Sequence, residues 1–325
     1  MSKQTVLLIG ATGETGSSIL DGLIEDGSFD ITCLVRTASA GKPAVQGLKD
    51  RGLKVATGDL TGPHDTLAAL LQGIDTVISA IFAPEVGDQV PLVDAAVEAG
   101  VRRFVPCNWG TPCARGGILD IRDLKEAAHD HVFRRRLGYT IVDVGYWYQT
   151  SFPRVPSGRL DYAAFLPANE VVAGGAAPNM LIDLRDVGRV AARIVKDPRT
   201  LNKRVYAYGE VLVKKDIIRL FEEKTGEKLE LTHISAEDAQ ERVSAIKRAR
   251  EADPSNVRLM YAHVGAQYAH SMHVRGDNTP ENAEYLGYIS ARELYPDLEY
   301  TWFADFADEL VAGTARRVYP HMSHF

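Results

Sequence analysis

The sequence predicts an α/β fold of the Rossmann type, a doubly wound parallel sheet, with a smaller, mostly helical lobe for substrate. Three observations predict it. The chain opens on an apolar run, Val6-Leu7-Leu8-Ile9, followed by glycines spaced G-x-x-G-x-x-G and then a helix-periodic run. Short apolar runs and helical patterns then alternate up to about Val144, the signature of parallel strands covered by helices on both faces. Past Gly145 the alternation loosens into aromatics, Pro and Gly, and from Lys214 to about Met272 the chain reads as mostly helical.

In the opening unit, Gly10 lets the strand turn sharply and Gly16 lets the helix pack close to it. Gly13 has no side chain, so a phosphate can approach the backbone. The first amides of the helix carry partial positive charge and suit a pyrophosphate. The next strands are expected at Ile31–Val35, Leu53–Thr57, Thr76–Ala80, Arg103–Pro106 and Tyr139–Val144. Helices are expected over Thr66–Leu71, Gln89–Ala99 and Ile118–Leu137. Ile182–Val195 reads as a further helix and Arg204–Tyr208 as a further strand. Residues 1–150 are thus expected to form the dinucleotide-binding domain, with 183–210 returning to it. Residues 151–182 and 211–325 are expected to form the second lobe.

Composition narrows the classes. Of 325 residues, 45% are hydrophobic and 25% charged, and a net charge of −6 without a basic block argues against nucleic acid as a partner. Cys33, Cys107 and Cys113 are expected to be free thiols, with no metal site, in a reducing compartment. No apolar run reaches membrane-spanning length and the N-terminus enters a strand directly, so a cytoplasmic protein is expected.

Candidate ligand contacts follow from the strand ends, because ligands of open parallel sheets bind beyond the carboxyl edge. Strand two ends in Arg36, with Thr37, Ser39 and Lys42 after it, where an NAD-binding domain carries an acid. An arginine there meets a 2′-phosphate with a planar fork of donors, so the expected cofactor is NADPH. Strand four ends in Ser79-Ala80-Ile81 and strand five in Cys107-Asn108-Trp109-Gly110 on the same rim. Trp109 either touches a ligand or packs beneath its loop. On the helix after strand five, Ile121, Leu124, Ala128 and Val132 make one apolar stripe, with Lys125 on it and Arg122 and Asp123 largely off it. An inward lysine either snorkels to water or serves in proton transfer, to which a pKa lowered by desolvation suits it.

With these residues in place, the chain resembles the isoflavone reductase-like, or phenylcoumaran benzylic ether reductase, group of NmrA-like atypical short-chain dehydrogenases, nearly end to end. The resemblance is carried by Gly10-Ala11-Thr12-Gly13-Glu14-Thr15-Gly16, Leu34-Val35-Arg36, Thr57-Gly58-Asp59-Leu60, Asp88-Gln89, Arg103-Phe104-Val105-Pro106 and Asp123-Leu124-Lys125. Near the C-terminus it continues in Val274-Arg275-Gly276-Asp277 and in the run from Glu293 to Thr301. No tyrosine is followed by lysine four residues on, so the Tyr-x-x-x-Lys pair of ordinary short-chain dehydrogenases is absent. The resemblance implies NADPH-dependent reduction of an aromatic or natural-product small molecule, at a C=C bond, benzylic ether or carbonyl. Lys125 would be the acid/base. Cofactor contacts would come from Gly10, Thr12, Gly13, Glu14, Thr15, Gly16, Arg36, Lys42, Ser79, Ala80, Ile81, Asn108, Trp109, Lys125 and Tyr146. Substrate would meet Trp147, Tyr148, His263 and His270, and a homodimer is left open. Two turns depart from the group: Pro-Ser-Glu-Phe-Gly is Pro106-Cys107-Asn108-Trp109-Gly110 here, and Asn-Cys-Phe is Gly145-Tyr146-Trp147. They leave room for an NADP-sensing regulator that catalyses nothing, or for an isomerase or cyclase that retains its cofactor.

Overall fold

The apolar run near the N-terminus forms β1 (Gln4–Ile9), with Val6, Leu7 and Leu8 wholly buried. The computed structural model describes residues 3–166 and 169–320. After β1 come α1 (Glu14–Asp26), β2 (Phe29–Val35), α2 (Pro43–Asp50), β3 (Lys54–Thr57), α3 (His64–Leu70), β4 (Thr76–Ser79), α4 (Val90–Glu98), β5 (Arg103–Val105), α5 (Asp120–Arg134) and β6 (Thr140–Val144). Strands β3-β2-β1-β4-β5 lie in that order, all parallel. A parallel bridge between Phe104 and Tyr139 carries the row on to β6.

Beyond β6 the chain forms β7 (Tyr146–Trp147), β8 (Glu170–Val172), β9 (Pro178–Ile182), α6 (Leu184–Lys196), β10 (Lys203–Ala207) and β11 (Glu210–Val213). It ends through α7 (Lys214–Thr225), β12 (Thr232–Ile234), α8 (Ala236–Ala252), α9 (Val257–His270), α10 (Pro280–Tyr285), β13 (Tyr288–Ser290), α11 (Ala291–Leu294) and α12 (Phe303–Val311). β10 pairs in parallel with β6, and β13 with β10. β13 lies across the expected domain division. It comes from the stretch assigned to the second lobe, yet it extends the main sheet, and Ala291 and Tyr295 behind it join the core under that sheet. Three residues with one aliphatic among them carry too little pattern to read as a strand.

The sheet separates two apolar layers. One gathers α1, α2 and α6 residues such as Ile19, Leu48 and Val190, and the other gathers Leu67, Leu92 and Val132 from α3, α4 and α5. α1 and α6 touch backbone to backbone: a Cβ on Gly188 would stand 1.8 Å from the Ser18 carbonyl oxygen, so only glycine fits there. The second lobe has its own core, in which Tyr148, Phe221, Phe303 and Phe306 are fully buried. No helix among the described residues is long and apolar enough to cross a membrane.

α5 is seated differently from its apolar stripe. Leu124 is 51% exposed, while Arg122, Lys125, Glu126 and His129 face inward with Ala128 and Val132. The charge on neighbouring strands decides this. Arg122 pairs with Asp143 of β6 at 2.9 Å, and Glu126 with Arg204 of β10 at 2.6 Å. Burial alone would raise the Glu126 carboxyl, but its two bonds from Arg204, with the His129 ring 3.5 Å away, hold it well below the usual carboxylate range. Polar groups that find partners can be buried where an apolar stripe would otherwise set the face.

Candidate active site

The glycine loop has the geometry its spacing requires. Gly10 sits at φ +84°, and a Cβ on Gly16 would stand 1.9 Å from the Gly10 carbonyl oxygen, so the helix starts directly against the turn. Gly13 is exposed, and its amide bonds the Gly10 carbonyl at 2.9 Å. It caps α1 with no side chain, so the amides of Glu14 and Thr15 at the first turn are not claimed by a capping group. Thr12 is exposed and Thr15 half-buried beside them. Arg36 stands exposed at the end of β2, 3.7 Å from Glu85 of the loop after β4, and Lys42 is exposed one turn further on.

Lys125 reaches the carboxyl rim from α5. It is buried, and its Nζ donates to the carbonyl of Asn108 in the turn after β5. Desolvation pushes its pKa below the ordinary 10.5, the Arg122 charge adds to that, and Cys107 and Asp143 oppose it. A Cβ on Gly110 would meet both Lys125 Nζ, at 3.4 Å, and the Tyr268 hydroxyl of α9, at 3.3 Å, so amine and phenol flank the same backbone position. The Tyr146 ring lies 5.9 Å from that of Tyr268, and burial raises both hydroxyls above the ordinary tyrosine range. Ala80 and Ile81 are half-buried on this rim, and the hydroxyl of Ser79 is buried without a partner among the described residues.

Most of the other residues expected at a ligand have partners within the chain. The Asn108 side chain turns into the core, donating to Asp143 and accepting from Arg122 at 2.9 Å, and presents only its backbone carbonyl to Lys125. Trp109, at φ +36°, packs under its loop and donates its indole N–H to the Ser79 carbonyl at 2.8 Å. Tyr148 is fully buried against Phe303, with its hydroxyl on the Thr301 carbonyl at 3.1 Å, so it is core of the second lobe. His263 is buried 3.3 Å from Asp120, where it ties α9 to α5. His270 is half-buried at the end of α9, and desolvation lowers its pKa. Trp147 is half-buried and stacks on Tyr319 at 6.1 Å.

Sequence reasoning missed Arg122, Asp143 and Tyr268. The Arg122–Asp143–Asn108 network beneath the turn also reaches the Thr111 carbonyl at 2.6 Å. One signal was present: an aspartate inside the apolar strand Thr140-Ile-Val-Asp-Val144 must find a cation. Tyr268 comes from sequence too far away for any local pattern to bring it to Gly110.

Comparison with known proteins agrees with this architecture. The chain is 39% identical over 312 residues, 95% of each chain, to the asnovolin J 5′,6′-dehydrogenase of Aspergillus novofumigatus. It is 28% identical to a phenylcoumaran benzylic ether reductase of Pyrus communis, over 95% of this chain and 99% of the other. Among solved structures, the leucoanthocyanidin reductase–NADPH complex from Vitis vinifera superposes with a TM-score of 0.79 at 20% identity, over 95% of this chain and 99% of that one. Residues 2–307 match the model of the NmrA-like family, and the chain belongs to that family.

Proposed function

We propose that this chain is an oxidoreductase that binds NADPH across the carboxyl rim of its sheet. It would exchange hydride with an aromatic or other natural-product small molecule, with Lys125 as the acid/base. The observation that carries the reading is the Lys125 amine, buried on the rim between the β5 turn and Tyr268. The dinucleotide fits on separate grounds. The uncapped first turn of α1 offers free amides to a pyrophosphate, and Arg36 stands exposed where a 2′-phosphate would lie. The Vitis vinifera neighbour was solved with NADPH.

When bound, the nicotinamide supplies or takes the hydride. The chain's own residues handle the proton. Burial favours the uncharged form of Lys125, which accepts a proton from a substrate hydroxyl as hydride leaves; the ammonium returns one to a carbonyl or phenolate as hydride is added. The Asn108 carbonyl orients the amine, and the Tyr268 hydroxyl flanks the same Gly110 position, with the Tyr146 ring 5.9 Å from that of Tyr268. The relatives' names include both a dehydrogenase and reductases, and this proton chemistry serves either direction.

The test is to incubate the protein with NADPH and a panel of aromatic enones and benzylic ethers and to follow nicotinamide absorbance. Turnover that falls by roughly 10² to 10⁴ in Lys125→Ala is the expected result, the usual share of general acid–base catalysis. Loss within about threefold would place the proton chemistry elsewhere. Tight NADPH binding with no turnover of any compound would favour a regulator.

A further inference from the structure

Past α12 the chain continues into a tail that the family match, ending at residue 307, does not include. The tail is stitched to both lobes. Ala315 and Val318 are buried, Ala315 in the second-lobe core and Val318 in the core beneath the main sheet. The Ala315 amide donates to the Tyr162 hydroxyl at 3.2 Å. The Tyr319 ring, at φ +51°, stacks on Trp147 and lies 4.8 Å from Phe165. Between these anchors the tail grips one side chain of the glycine loop. Arg316 Nη2 lies 2.6 Å from one Glu14 carboxylate oxygen, and the Tyr319 amide donates to the other at 2.9 Å. The Glu14 side chain is only 8% exposed, while Arg316 is 65% exposed.

Glu14 is the first residue of α1, so its carboxylate stands beside the amides offered to a pyrophosphate. An unpaired carboxylate there would repel that anion, and the low exposure of Glu14 would leave the repulsion poorly screened. We propose that the C-terminal tail is part of the dinucleotide site, where Arg316 neutralises Glu14 so that the glycine loop accepts a pyrophosphate. Arg316 is a positioning residue that acts through Glu14. The inference rests on the dinucleotide reading above.

Calorimetry of NADP+ binding to the full-length protein tests it. Arg316→Ala should weaken binding about tenfold, the equivalent of about 1.4 kcal/mol, with the loss growing as salt is lowered. The same substitution made in a Glu14→Gln protein should change affinity by less than about twofold, because no carboxylate remains to be neutralised. NADP+ binding by Arg316→Ala equal to wild type would overturn the latch alone. A tenfold loss that persists on the Glu14→Gln background would overturn it too, because the tail would then act only as scaffold. Failure of the wild-type protein to bind NADP+ would remove the dinucleotide reading itself, and the latch with it.

Discussion

Asp143→Asn probes the buried charge network that holds the proposed acid/base in place. Asp143 is fully buried and Arg122 nearly so, with 2.9 Å between oxygen and nitrogen. Charge centres about 4 Å apart attract by about 4 kcal/mol at an effective dielectric of about 20. Removing Asp143 leaves the buried guanidinium with only Glu126, 3.6 Å away and already shared with Arg204, as counter-ion, and breaking such a buried pair costs about 3–5 kcal/mol. Urea unfolding of wild type and variant measures the loss directly. Asp21→Asn, which breaks the exposed pair with Arg51, is the control and should change stability by less than about 1 kcal/mol. The network also bears on Lys125, because Asp143 favours its ammonium and Arg122 disfavours it. Asp143→Asn should therefore move the Lys125 titration to lower pH, read as a shift in the pH dependence of turnover or of amine labelling. A stability loss below about 1 kcal/mol, no larger than a surface pair gives, would refute the reasoning.

The other expectations concern the amine and the two ends of the cofactor site. Activity that needs the uncharged amine should rise with pH through a value below 10.5, and Lys125→Arg should fail nearly as badly as Lys125→Ala, since a guanidinium holds its proton; full activity in the arginine variant would rule the amine out. Arg36→Asp should weaken NADPH binding by roughly a few kcal/mol while touching NADH much less, because it replaces a charge-assisted contact with repulsion; calorimetry showing equal loss for both would remove the 2′-phosphate assignment. Gly13→Val should abolish dinucleotide binding with little change in melting temperature, since a Cβ there comes no nearer than 3.4 Å to the Gly10 carbonyl oxygen. Gly16→Ala should instead destabilise the fold by roughly 3 kcal/mol, because its Cβ would meet the same oxygen at 1.9 Å; similar melting temperatures for the two variants would contradict the packing described for the loop.

Local pattern was enough for the parts of this protein that local physics governs. The strand, glycine turn and helix of the opening unit follow from an apolar run and from glycines where the turn needs them, as at Gly16, whose missing Cβ lets the helix start against the Gly10 carbonyl. The alternation of apolar runs likewise determined the parallel sheet through β6, and it placed Arg36, Ser79 and the β5 turn on one rim. What the tertiary structure decided depends on partners distant in the chain. α5 turned from its apolar stripe because Asp143 and Arg204 on other strands offered counter-charges. Lys125 faces inward with Ala128 and Val132 of the stripe, its amine on the Asn108 carbonyl, while Leu124 of the same stripe turns outward as Arg122 and Glu126 take the buried face. Tyr148 and Trp109, aromatic and near the rim in sequence, were drawn into cores where their polar atoms met the Thr301 and Ser79 carbonyls. β13 joined the sheet, and Arg316 met Glu14 across three hundred residues of chain, by contacts that no local period encodes. Sequence periodicity reports which face of an element can be buried, whereas the choice among polar faces is made by the charges and hydrogen-bond partners that folding brings opposite them.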